Sequence, residues 1–322
     1  MELLSDALPV QRVRDLLWAG ADDRALRRDA DRGRVQRVSP GVYLDAALWA
    51  QLDDDERYLL RIAAIAGTRR ARVVYSHYSA LALLGYPIIG YWPSRVHTLV
   101  GADSGQRSSA HVVRHAMDVS DDELIELGGL VLTNPLRTLT DVARVASLET
   151  AVAALDRGLA GPAPLLTTEA AVEREALLES VAKLGSAPGA SRAAFAIGFA
   201  DAAAGSPGES VSRVNMHRLH IPKPQLQVRV FVSGGRYFDV DFGWEEFGAF
   251  GEFDGHGKYF KPEYRGDRTP EQVLIAEKKR EDEIRAVTSR TFARWDWPIA
   301  LSLPALRACL AASGVHPVRG RR

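Results

Sequence analysis

The chain has 322 residues, 46% hydrophobic and 25% charged, with 41 basic residues balancing 41 acidic ones. That composition excludes wholesale disorder, and at roughly 100–200 residues per domain it predicts two or three domains. No apolar run reaches the ~18 residues that a membrane-spanning helix needs, and a single cysteine, Cys309, excludes an intramolecular disulfide and a cysteine-based zinc site.

The opening "MELLSDALPVQRVRDLL" has no basic region followed by an apolar core, so no signal peptide and a cytoplasmic location are expected. Val10, Val13, Leu16 and Leu17 fall at helical spacing and predict a helix stopping at Gly20. "ADDRALRRDADRG" predicts a second short helix closed by Gly33. Then Val35 and Val38 alternate with Arg34 and Arg37, the chain turns at Pro40-Gly41, and Val42-Tyr43-Leu44 returns, which predicts a small β-wing. Six arginines stand against two aspartates between Arg24 and Arg37. Helix, turn, Arg-rich helix and wing is the order of a winged helix-turn-helix, assigned to residues 1–48. Arg24, Arg27 and Arg28 would carry donors into the major groove of DNA, and Arg34 and Arg37 would meet phosphate. The plainer reading of such a charge run is a solvated face.

The middle, residues 49–203, reads as an α+β domain. "DDERYLLRIAAIAG" and "SHYSALALLGYP" predict helices stopped by glycine, and "RVHTLV" and "HVVRHAM" predict strands. "TNPLRTLTDVARVA" opens with Thr-Asn-Pro, a helix-start signal. Two helices follow, "LETAVAALDRGLAG" and "TTEAAVEREALLESVAKLG". Arg137 and Asp141, four apart on a helix, predict an ion pair. His77 follows a serine at a helix start and reads as a cap or surface residue, while His97, His111 and His115 have no metal-ligand spacing.

A boundary falls in "AAAGSPGE", and residues 204–322 form the last domain. Its predicted order is helix ("ESVSRVNMHRLHIP"), three strands ("QLQVRVFV", "RYFDVDFGW", "GAFGEFDG"), a long amphipathic helix ("TPEQVLIAEKKREDEIRAV") and a fourth strand ("RTFARWDW"). Alternation along a strand puts Glu252 and Asp254 on one face and Phe253 on the other, and likewise groups Asp239 with Asp241. If those strands pair, the carboxylates converge, with Glu209 near the start of the preceding helix. Clustered like charges repel unless neutralised, and Mg²⁺ is a hard cation that takes carboxylate oxygens. Such an ion activates water and polarises a phosphodiester, and Lys258, Lys278, Lys279 and Arg280 would steady the developing charge. The alternative is an acidic sheet face satisfied by neighbouring basic residues.

"DVDFGW…GEFDGHGKY…EKKREDEIR…FARWDW", over about residues 206–300, resembles the PD-(D/E)XK nucleases, and within them the domains related to very-short-patch-repair endonucleases. The resemblance implies that Asp241 and Glu252 hold Mg²⁺, that Asp254 ligates it or orients water, and that Glu209 assists from the helix. Asp254 stands where that superfamily usually has lysine, a role left to Lys258 or Lys278. "WAGADDRALRRDADRGRVQRVSPGVYL", "SHYSALALLGYP" and "LTNPLRTLTDVARV", over roughly residues 8–160, resemble the AbiEi-type antitoxins of type IV toxin–antitoxin systems. That implies promoter DNA and a cognate toxin as partners; with no long apolar run, no membrane is expected. The expectation is an α+β multidomain protein made of a winged helix, a middle α+β domain and a C-terminal restriction-endonuclease-like domain. Its function is expected to be Mg²⁺-dependent endonuclease action on DNA or, alternatively, regulation by an antitoxin-like protein whose nuclease-like domain no longer cuts.

Overall fold

The structure is a computed structural model that describes residues 23–68, 72–166, 170–255, 279–280 and 282–318. The predicted helix at 10–20, Lys258 and Lys278 lie outside these residues. The fold is α+β, with three sheets among the described residues. The chain divides into two compact units, the described residues of Met1–Ser147 with Gly161–Gly198, and those of Leu148–Ala160 with Phe199–Arg322. No helix among the described residues is long and apolar enough to cross a membrane.

The first unit begins with α1 (Asp23–Asp31) and an antiparallel hairpin of β1 (Val35–Ser39) and β2 (Val42–Asp45). Gly41 turns the hairpin at φ +76°, a conformation that a side chain would strain. The Asp45 carboxylate then accepts from the backbone N–H groups of Ala47 (2.8 Å) and Leu48 (3.2 Å) and so starts α2 (Ala46–Gln51). Val38, Val42 and Leu44 bury one side of the hairpin against Leu60 and Ala64 of α3 (Asp54–Thr68), and Leu48, Trp49 and Leu52 close that core.

The unit continues with β3 (Val74–Tyr75), α4 (His77–Leu83), β4 (Val96–Val100), β5 (Val112–Ala116), β6 (Leu124–Leu127) and β7 (Leu130–Thr133). The strands form one sheet in the order β5-β4-β3-β7-β6. The predicted helix start is observed in α5 (Pro135–Val145), where Asn134 caps through the N–H of Arg137 at 2.8 Å and Pro135 sits in the first turn. α6 (Leu148–Ala160) belongs to the second unit, while α7 (Arg174–Lys183) and most of α8 (Ala190–Phe199) complete the first.

The second unit adds α9 (Pro207–Arg218), β8 (Gln225–Phe231), β9 (Tyr237–Trp244), β10 (Ala249–Phe253), helical residues 279–280 and 282–288, β11 (Thr291–Trp295), α10 (Trp297–Ala300) and α11 (Leu303–Ala312). The sheet order is β11-β10-β9-β8, with β8 and β10 antiparallel to β9 and β11 parallel to β10. Val230, Val232, Val240 and Phe250 pack on Ile284 of the inserted helical residues. Toward α9, the Trp295 indole donates to Ser212 Oγ at 2.7 Å and its ring stacks on Phe242.

α9 approaches β10 closely because residue 208 is glycine. A Cβ there would stand 2.0 Å from the Phe253 ring, which also meets Trp297 edge-on. Gly208→Ala gains about 1 kcal/mol of helix propensity. Overpacking against the half-buried ring, which Trp297 holds from the side, costs about 1–3 kcal/mol and offsets it. A net loss of up to about 2 kcal/mol is therefore expected, read as a lower urea midpoint at unchanged slope.

Candidate functional site

In the second unit, the sequence singled out carboxylates on α9, β9 and β10. The ladder between β9 and β10 runs from Ala249↔Trp244 to Gly251↔Phe242. Beyond it, the Asp241 carboxylate takes over the role of a strand partner and accepts from the backbone N–H of Phe253 at 2.9 Å. Asp241 thus sits against the main chain next to Glu252. Asp254, half-exposed, ends this stretch, its N–H donating to the Trp295 carbonyl at 2.7 Å.

Glu252 is buried, and its carboxylate lies between two guanidinium groups. Arg280 Nη1 is 2.8 Å from Oε1 and Arg294 Nη2 is 2.7 Å from Oε2. Arg294 is directly across the parallel ladder from Glu252. Arg280 also donates to the Asp239 carbonyl at 2.6 Å and lies over the Phe238 ring. Phe253 turns toward Gly208, so by strand alternation Glu252 turns away from the helix that carries Glu209. Glu209 is itself engaged locally. It accepts from the Gly205 N–H (2.8 Å), the Ser206 hydroxyl (2.8 Å) and the Gln227 amide (3.0 Å).

Asp239 faces Arg229 across the β8–β9 ladder in a two-pronged pair, with contacts of 2.9 and 3.1 Å. The hydrogen bonds from Arg229 hold its carboxyl below the usual range. Of these carboxylates, Glu252 and Asp239 are thus each paired with arginine, while Asp241 and Glu209 accept from neutral donors. A divalent cation at Glu252 would have to displace at least one guanidinium group. Among the described residues, no three His, Cys, Asp or Glu side chains are grouped so as to hold a metal ion.

The second candidate is the helix–hairpin at the start of the first unit. Arg24, Arg27 and Arg28 fall at i, i+3 and i+4 on α1, one stripe of the helix, and all three are exposed, while Leu26 is buried. Arg34 and Arg37 are exposed on the approach to β1 and within it. Arg34 pairs with Asp29 of α1, which ties the strand to the helix. Five arginines thus occupy exposed positions within one helix and one hairpin arm.

No family model matches the chain, and no curated protein matches it. Among solved structures it is similar to the RV2827C protein from Mycobacterium tuberculosis, at 18% identity and a TM-score of 0.33, over 60% of this chain and 69% of that one.

Sequence spacing gave no grouping for the histidines of the first unit, yet His77, His97 and His115 come together from α4, β4 and β5. Their proximity depends on the register of the parallel β4–β5 pair, in which Leu99 faces His115 and His97 faces Val113. Arg137 and Asp141 form the predicted i, i+4 pair at 3.0 Å. Cys309 is half-buried, its Sγ 3.3 Å from the Arg294 carbonyl.

Proposed function

We propose that this chain is a DNA-binding regulator of the AbiEi antitoxin kind, in which a winged helix grips DNA and a restriction-endonuclease-like C-terminal unit serves as a binding module that does not cut. The observation that carries this reading is the Glu252 carboxylate between Arg280 and Arg294. A metal-dependent nuclease needs an anionic pocket that draws Mg²⁺ and its water. Here each oxygen of the central glutamate already faces a cation. The exposed arginine stripe of α1 and the arginines of β1 support DNA as the partner, because sequence-independent affinity comes from cations meeting phosphates. A cognate toxin is the second partner in this reading.

The test combines calorimetric titration of Mg²⁺ and Mn²⁺ with cleavage of supercoiled plasmid and single-stranded DNA. The full chain and an Asp241→Ala, Glu252→Ala double variant are compared. Expected is a retarded but intact DNA, with no metal uptake that the double variant loses. Metal uptake and cleavage that both vanish in the double variant would replace this reading with a Mg²⁺-dependent endonuclease built on Asp241, Glu252 and Asp254.

A further inference from the structure

DNA binding makes no use of three of the first unit's four histidines, His77, His97 and His115. The rings of His77 and His115 lie flat on one another, with centroids 3.6 Å apart and planes within 9°. His97 Nδ1 and His115 Nε2 are 3.0 Å apart, and His97 meets Tyr78 edge-on. His77 and His97 are buried. His77 has φ +49°, an uncommon backbone state outside glycine, and its Nδ1 is 3.0 Å from the Ser76 hydroxyl.

A hydrogen bond between two imidazole nitrogens needs one proton and one lone pair. When both rings are protonated, no lone pair remains and two cations face each other. The surrounding charges do not relieve this. α5 contributes Arg137, Asp141 and Arg144. Asp141 Oδ2 is 4.0 Å from His77 Nδ1, but the same oxygen accepts from Arg137 at 3.0 Å, and Oδ1 lies 3.7 Å from Arg144. Glu123 is paired with Arg137, and Arg95 adds a further positive charge beside His97. Burial first, then the neighbouring cations and histidines, pull His97 down to about 3 and His115 to about 4, and hold His77 well below its ordinary value.

We propose that His77, His97 and His115 form an acid-operated latch that, when neutral, fastens strand β5 and the first turn of α4 to β4, and that lets them go when protonated. β5 is the outermost strand on its side of the sheet, paired there with β4. Opening exposes the rings to water, where a histidine titrates near 6.5. The open state therefore binds more protons below that pH. The latch is fully effective above about pH 6.5 and weakens progressively as pH falls toward 4.

Hydrogen exchange of the full chain at pH 7.5 and pH 5.0, corrected for intrinsic rates, tests this. Protection in residues 112–116 and at the start of α4 is expected to fall by on the order of a hundredfold or more, while β7 keeps its protection. In a His97→Gln, His115→Gln variant the amides keep a donor and an acceptor at the ring–ring contact but do not titrate, so the fall should shrink at least about tenfold. His77→Asn, a residue that tolerates positive φ, gives an independent variant with the same expectation should the double variant not fold. Unchanged protection at pH 5.0 in the wild type, or an equal fall in the variants, overturns the latch.

Discussion

Replacing Asp156 with alanine is expected to destabilise the second unit by about 3–5 kcal/mol. Asp156 sits on α6, a helix separated by almost forty residues from the rest of its unit. Its carboxylate joins that helix to α9. Oδ2 accepts from Arg213 Nη1 at 2.8 Å and from the Ser210 hydroxyl at 2.7 Å, and Oδ1 accepts from the Asp201 N–H at 2.7 Å. The two charged side chains are only 2% and 3% exposed. Arg213 reaches the Phe199 carbonyl with its other nitrogen, at 2.7 Å, and lies over the Phe199 ring. The pair itself adds little net stability, because desolvation offsets the attraction. Removing one partner is different, since it strands a buried guanidinium and leaves the Asp201 N–H without its acceptor. Against a typical domain stability of about 5–15 kcal/mol, that is a large fraction. Urea unfolding reads the loss directly. Adding Arg213→Met to Asp156→Ala should restore part of it, because the stranded charge is gone. A single-variant loss below about 0.5 kcal/mol would show that the pair is not formed in solution.

This pair also marks where the sequence stopped being informative. Local signals were legible. Thr-Asn-Pro opened α5, Pro40-Gly41 turned the β1–β2 hairpin, and the strand–strand–strand–helix–strand order of the second unit followed from alternation and glycine punctuation. The short β6–β7 hairpin, which Gly128 and Gly129 turn at positive φ, was missed. α8 was missed because its apolar residues do not mark one side: Ala190, Ala193, Ala196 and Ile197 are buried, but Ala194 and Phe195 are exposed. At the candidate site, alternation sets Glu252 apart from Phe253, but nothing local could say what Glu252 meets. Arg294 is set opposite it by a parallel register, and Arg280 is delivered by a helix inserted between the strands. The histidine cluster was invisible for the same reason, its members coming from three elements. Contacts close in sequence can be read from spacing. Charge balance across a sheet depends on register, and register is a property of the folded chain.

If the chain binds DNA as proposed, the arginines of the helix and hairpin should separate into two classes when affinity is measured against salt. Each phosphate neutralised contributes about 0.9 to the slope of log affinity against log salt. Five such contacts imply a slope near −4.5 and a loss of roughly 500-fold between 50 and 200 mM salt. Arg34 and Arg37 flank or lie on β1, and Arg37 is in the ladder opposite Tyr43, a position suited to the phosphate backbone. Arg37→Gln should therefore flatten the slope by about one and weaken all sequences equally. Arg24, Arg27 and Arg28 share one stripe of α1, with Leu26 anchoring the helix beneath. A groove-bound helix reads bases with that stripe, so a residue that reaches a base edge should also discriminate, at about 1–3 kcal/mol per lost contact. Replacing all three with glutamine should flatten the slope and remove any preference for one sequence over another. Because all three are exposed, the thermal midpoint should stay within a degree or two, roughly the range of a neutral surface change. A triple variant that binds DNA with wild-type slope would move the interface off this helix. A triple variant that loses slope but keeps its sequence preference would leave α1 as a phosphate clamp and place the reading of bases elsewhere.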